Sequence, residues 1–176
     1  LRRTIMRLPW ARGKINQMVA KAFSSGSIMP TMPPHYDFTT PEYSSLDHIT
    51  EHKWESTRGI GRSFAYNQFE PDEFYLTTPE LVASFVDIVS KNGNLLLNVG
   101  PTSTGEIPPV QRRLLESFGE WMQRYRPAIR ASRPWTRFGD DDSDGSPRLR
   151  FTRSGDDLNV FAFPRGESSV TVPGIR

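Results

Sequence analysis

Asn94-Leu95-Leu96-Leu97-Asn98-Val99-Gly100-Pro101 joins an apolar run to an abrupt glycine-proline stop, and its reading decides the fold. Leu95, Leu96, Leu97 and Val99 show no polar alternation, which predicts a strand of a parallel sheet covered on both faces. Upstream, Thr77-Thr78-Pro79-Glu80 supplies a helix cap, a first-turn proline and an early carboxylate. Leu81, Val82, Phe85, Val86 and Val89 follow at helical spacing, and Gly93 is expected to close that helix. Downstream, Val110 to Tyr125 repeats the pattern, with Leu114, Leu115, Phe118, Trp121 and Met122 on one side. Helix, buried strand, loop, helix is the rhythm of an α/β barrel or of a doubly wound sheet.

The chain has 176 residues, 36% of them hydrophobic, enough for one domain and part of another. A complete (β/α)8 barrel takes about 200 to 250 residues, so a barrel of this rhythm would be present only in part. Leu1 falls mid-pattern, and the chain is expected to start inside a longer protein. The net charge of +2 comes from mixed signs with arginine-rich ends, which gives no case for a nucleic-acid partner. With no cysteine, disulfides, thiolate metal sites and a cysteine nucleophile are excluded within this chain. Leu1 to Arg12 lacks the apolar core of a signal peptide, and no stretch is long and apolar enough to predict a membrane span.

Ile15, Met18, Val19, Ala22 and Phe23 predict a short amphipathic helix with a basic polar face, stopped at Ser24-Ser25-Gly26. Residues 27–50 read as a long loop broken by Pro30, Pro33, Pro34 and Pro41, with the start of a strand at Ser27 to Met29. A short strand is expected over Lys53 to Thr57, followed by a loop to Leu76. That loop carries Phe64, Tyr66, Phe69, Phe74 and Tyr75, and such aromatics commonly shape a ligand pocket. After Pro127, Ser132-Arg133-Pro134-Trp135 leads to the acidic run Asp140 to Asp144, read as a solvated linker. Leu149 and Phe151, then Leu158 to Phe163, then Val170 and Val172 mark three strands that would begin an antiparallel sandwich.

Glu55 is the sharpest chemical candidate, because a carboxylic acid beside a tryptophan at a strand end can be desolvated and so donate a proton at neutral pH. The competing reading is a surface glutamate or a salt-bridge partner. Glu42, in Phe38-Thr39-Thr40-Pro41-Glu42, reads more simply as part of a helix start, with Thr40 as cap and Pro41 in the first turn. His35, His48 and His52 lack metal-ligand spacing, and the acidic run lacks the final glutamate of a calcium loop, so no metal and no cofactor are expected. No Gly-x-Ser-x-Gly elbow or phosphate-binding glycine pattern is present.

Four stretches, in order, resemble the α-L-fucosidases, the retaining glycoside hydrolases of family 29. They are Tyr36 to Glu42, His52 to Glu55 with Ser63 to Asn67, Val86 to Pro101, and Ile129 to Trp135. The resemblance implies an α/β architecture: the C-terminal portion of a (β/α)8-like TIM barrel over residues 1–132, then the first strands of a β-sandwich over residues 133–176. It implies hydrolysis of terminal α-L-fucosyl linkages with retention, Glu55 as acid/base, and Trp54, Tyr36, Glu42, Phe64 and Tyr66 as substrate-binding residues. The partner so implied is a fucosylated oligosaccharide or glycoconjugate. By analogy with the family the protein would be secreted, periplasmic or lysosomal.

The family's nucleophile is an aspartate in a Trp-x-Asp setting, and none of Trp10, Trp54, Trp121 or Trp135 is followed by aspartate at that spacing. The paired histidines that hold the sugar are also missing, as is the arginine usual before Thr-Pro-Glu. Ser63-Phe64-Ala65-Tyr66 stands where Ser-Trp-Gly-Tyr is usual. The isolated chain is therefore expected to be inactive and to need a complementing chain or a second copy at its unpaired strand edges. The alternative is a non-catalytic carbohydrate-binding module, a degenerate remnant of a fucosidase.

Overall fold

The structure is a computed structural model that describes residues 37–164 and 166–174. The helix read at Ile15 to Phe23, the strand start at Ser27 and the candidate Tyr36 lie outside the described residues. The elements are β1 (Trp54–Gly59), a 3₁₀ turn (Asp72–Phe74), α1 (Thr78–Ser90), β2 (Gly93–Asn98), α2 (Pro109–Ile129), β3 (Arg133–Asp141), β4 (Pro147–Ser154) and β5 (Asp157–Ala162).

β1 and β2 pair in parallel, Trp54 beside Gly93 through Gly59 beside Asn98. Residues 39–42 run alongside β1 as a third extended segment, through parallel bridges Thr39 to Trp54 and Glu42 to Thr57. The Glu55 and Thr57 N–H groups donate to the Thr39 and Pro41 carbonyls at 2.9 and 3.0 Å, and Tyr43 N–H donates to the Thr57 carbonyl at 2.9 Å. The helix start read at Thr40-Pro41-Glu42 is thus replaced by extended chain. Proline and its threonine neighbour suit an edge segment equally well, and the free β1 edge decides between the two.

α1 starts as its sequence predicts. Thr77 accepts from Glu80 N–H while Glu80 reaches back to the Thr77 N–H at 2.8 Å, a capping box with Pro79 in the first turn. Its end differs from expectation: Asn92, at φ 72°, takes the reversing turn, and Gly93 is already the first residue of β2. Gly93 is needed there for space, since a Cβ would sit 2.5 Å from the Trp54 ring. α2 continues past Tyr125 to Ile129, with Pro127 in its last turn, because Ile129 is drawn into the core beside Val82 and Val86.

The helices cover one face of the parallel strands. Leu95, Leu97 and Val99 pack on Ile60, Leu81 and Leu114, while Phe85, Trp121 and Phe161 gather around Val82, Val86 and Ile129. Phe85 meets Phe118 edge to face at 5.4 Å. The opposite face is open among the described residues, and Leu96 is 51% exposed there, so the expected burial on both faces is found on one only.

β3, β4 and β5 form an antiparallel sheet in that order. The acidic run is its first hairpin: Asp140 and Asp141 end β3, and Gly145 turns at φ 78°. The aspartates take up the arginines of β4, Asp141 with Arg150 and Asp142 with Arg148, which is why the run is structured. Val170 and Val172 form no strand, since Pro164, Gly166 and Pro173 interrupt pairing beyond β5. Among the described residues the fold is α/β with one parallel and one antiparallel sheet. No described helix is long and apolar enough to cross a membrane.

Candidate active site

The parallel strands fix two faces by alternation. Trp54, Ser56 and Arg58 of β1 share a face with Gly93, Leu95 and Leu97 of β2, the face that the helices cover. Thr40 and Glu42, Glu55 and Thr57, and Asn94, Leu96 and Asn98 share the other.

Trp54 and Glu55 therefore point apart. Trp54 is 1% exposed, wedged against Gly93, and its indole N–H donates to the Lys91 carbonyl at 3.0 Å. It packs under the sheet and offers no face to a sugar beside Glu55, which corrects its reading as a substrate-binding residue. Glu55 is half-buried, second in β1, paired with Asn94 at the strands' N-terminal end. Glu42 is exposed and lies beside Thr57, two residues further along, or about 6.6 Å toward the C-terminal end.

Phe64 and Tyr66 are found at that C-terminal end, on the loop following β1. The Tyr43 ring, next in sequence to Glu42, meets Phe64 edge to face at 5.0 Å. The Tyr43 hydroxyl accepts from Gly59 N–H at 3.1 Å, and Asn98 Nδ2 donates to the Phe64 carbonyl. Gly100 lets the loop close on β2, for a Cβ there would stand 2.6 Å from the Tyr66 nitrogen. The structure thus brings Glu42, Phe64 and Tyr66 to one end of the strands and leaves Glu55 and Trp54 at the other. Tyr43 and Asn98 were not singled out from sequence; Tyr43's place after Thr-Pro-Glu and Asn98's before the Gly-Pro stop are the signals that could have marked them.

Burial pushes the Arg58 guanidinium below its ordinary value, opposed by Tyr43 and Glu80. Burial, then the Glu70 charge, pushes the Tyr75 phenol up. Among the described residues no three histidine, aspartate or glutamate side chains gather as a metal site would need.

The α-L-fucosidase family model matches residues 12–127. The chain belongs to the α-L-fucosidase family. An α-fucosidase of Thermotoga maritima, solved with a mechanism-based inhibitor, is 46% identical with a TM-score of 0.66, over 73% of this chain and 29% of that one. The same enzyme solved with fucose aligns at a TM-score of 0.65 and 43% identity, over 73% of this chain and 29% of that one. The α-L-fucosidase of Branchiostoma floridae is 36% identical over 98 residues, 55% of this chain and 22% of the relative. The chain thus spans about a fifth of the length of the curated relatives it matches.

Proposed function

We propose that these residues are the C-terminal portion of a retaining α-L-fucosidase: residues 1–132 the last part of a (β/α)8 barrel, residues 133–176 the first strands of a β-sandwich. Three parallel extended segments with helices on one face support the barrel, and the β3–β5 sheet supports the sandwich. The substrate is a terminal α-L-fucosyl linkage of a glycan or glycoconjugate. The aspartate nucleophile comes from polypeptide beyond these 176 residues, so the chain alone is inactive.

The observation that carries the site assignment is the direction of the strands. Barrel enzymes place their chemistry at the C-terminal ends of the strands. Glu42 stands toward that end, exposed and next in sequence to the Tyr43 that meets Phe64, whereas Glu55 stands toward the opposite end. Glu42 is accordingly the better acid/base, in place of Glu55. In the first step its carboxylic acid gives a proton to the glycosidic oxygen as the sugar passes to the nucleophile; its carboxylate then takes a proton from the attacking water.

The test is made in the complete polypeptide that carries the nucleophile. Glu42→Gln is expected to lower turnover of poor leaving groups by about 10²- to 10⁴-fold. Azide, which needs no base, should restore turnover of an activated aryl fucoside. The same pattern in Glu55→Gln, with Glu42→Gln near wild type, would return the role to Glu55.

A further inference from the structure

The loop that carries Phe64 and Tyr66 forms a concavity which the proposed chemistry does not use. Tyr66, Asn67, Gln68 and Phe69 from the loop after β1, with Ser103 from the loop after β2, line an open depression of about 420 Å³. That lies within the ~300–1,000 Å³ range of ligand pockets. Phe69 is 81% exposed, more than any other large hydrophobic side chain described.

The loop that carries this exposed ring is held in place. Phe69 N–H donates to Asn67 Oδ1 at 3.1 Å, Glu70 N–H to the Asn67 carbonyl at 3.0 Å, and Asn67 Nδ2 to Ser63 Oγ at 3.3 Å. Glu70 in turn accepts from the Arg62 N–H, which closes the base of the loop. The backbone that presents the ring is thus fixed by four hydrogen bonds in and around the loop, so little backbone freedom remains to be lost when a ligand lands there. The lining offers amides and hydroxyls with no charged side chain. It therefore suits a neutral, hydroxyl-rich ligand with an apolar face, which describes a pyranose ring.

We infer that this pocket receives the leaving-group side of the substrate: a neutral pyranose that stacks on Phe69 and hydrogen-bonds to Gln68 and Ser103. The inference rests on the fucosidase reading, since the loops after β1 and β2 that line the pocket leave the strands at the same C-terminal end toward which Glu42 stands.

The experiment compares two substrates in the complete polypeptide: α-L-fucosyl fluoride, whose leaving group is a single atom, and a neutral fucosylated disaccharide. Phe69→Ala should raise KM for the disaccharide about tenfold while leaving kcat/KM for the fluoride within about twofold. Phe69→Trp should restore the disaccharide KM. Equal losses on both substrates, or no loss on either, would overturn the subsite while leaving the fucosidase reading standing. A wild-type enzyme that turns over neither substrate would overturn both. Phe69 is exposed enough for the variants to fold, and an unchanged melting temperature checks this.

Discussion

The two ends of the parallel strands are built on opposite plans. At the N-terminal end lies a buried ion cluster. Asp87 of α1 accepts from Arg150 Nε of β4 at 2.6 Å, from Lys91 Nζ at 2.8 Å and from Ser45 Oγ at 2.6 Å. Arg150 also donates to the Asp140 and Leu149 carbonyls and to Asp141, while Phe138 lies against both cations. Arg150, Lys91 and Asp87 are 2%, 5% and 6% exposed, so each buried charge has its partners inside the protein. At the C-terminal end, Glu42, Tyr43, Tyr66 and Phe69 face solvent. One end carries a buried ion cluster, the other is open and rich in aromatic and polar groups. Stability is concentrated at the end away from the proposed chemistry.

That contrast is most severely tested by removing Asp87. Asp87→Ala leaves two buried cations without their shared partner and should cost about 3–5 kcal/mol. Glu42→Gln at the open end should stay within about 0.5 kcal/mol, and urea unfolding of both variants measures the difference. If the two variants proved equally stable, the contrast would collapse. Gly93→Ala comes next: a methyl group 2.5 Å from the Trp54 ring must displace the indole that donates to Lys91, at about 1–3 kcal/mol, read from the thermal midpoint. Thr77→Ala, which opens the capping box at the far end of α1, should cost about 1 kcal/mol, and Thr77→Ser should recover most of it.

The smallest effect concerns Asp47. The hydrogen bond from His48 holds its carboxyl below the ordinary 3.8. Because the folded value is the lower one, the contribution is present above pH 3.8 and is lost as pH falls through the folded value. His48→Ala should thus change stability slightly above that value and not at all once Asp47 is protonated in both states. A melting-temperature series in pH would show a loss of the opposite sense if the sign were wrong.

The strands and helices around Leu95 were legible because their signals are local: a capping box at Thr77 and Glu80, helical spacing from Leu81 to Val89, and the Gly100-Pro101 stop. Residues 39–42 were not, because Thr-Pro-Glu opens a helix as readily as it runs along a strand edge, and only the pairing with β1 discriminates. The acidic run misled for a similar reason, its partners Arg148 and Arg150 lying beyond the turn. Alternation alone would have separated Trp54 from Glu55, yet which of the two faced the helices depended on Gly93, far along the chain. Arg150 and Asp87 are 63 residues apart, and no periodicity joins them.

That last pairing bears on how such proteins can be recombined. A C-terminal sheet transplanted from a relative lacking arginine at the Arg150 position would arrive with sound strands and still leave Asp87 facing Lys91 and Ser45 alone. The seam between the helices and the antiparallel sheet is therefore a matched pair, and chimeras across it should succeed only when both halves of the ion cluster travel together.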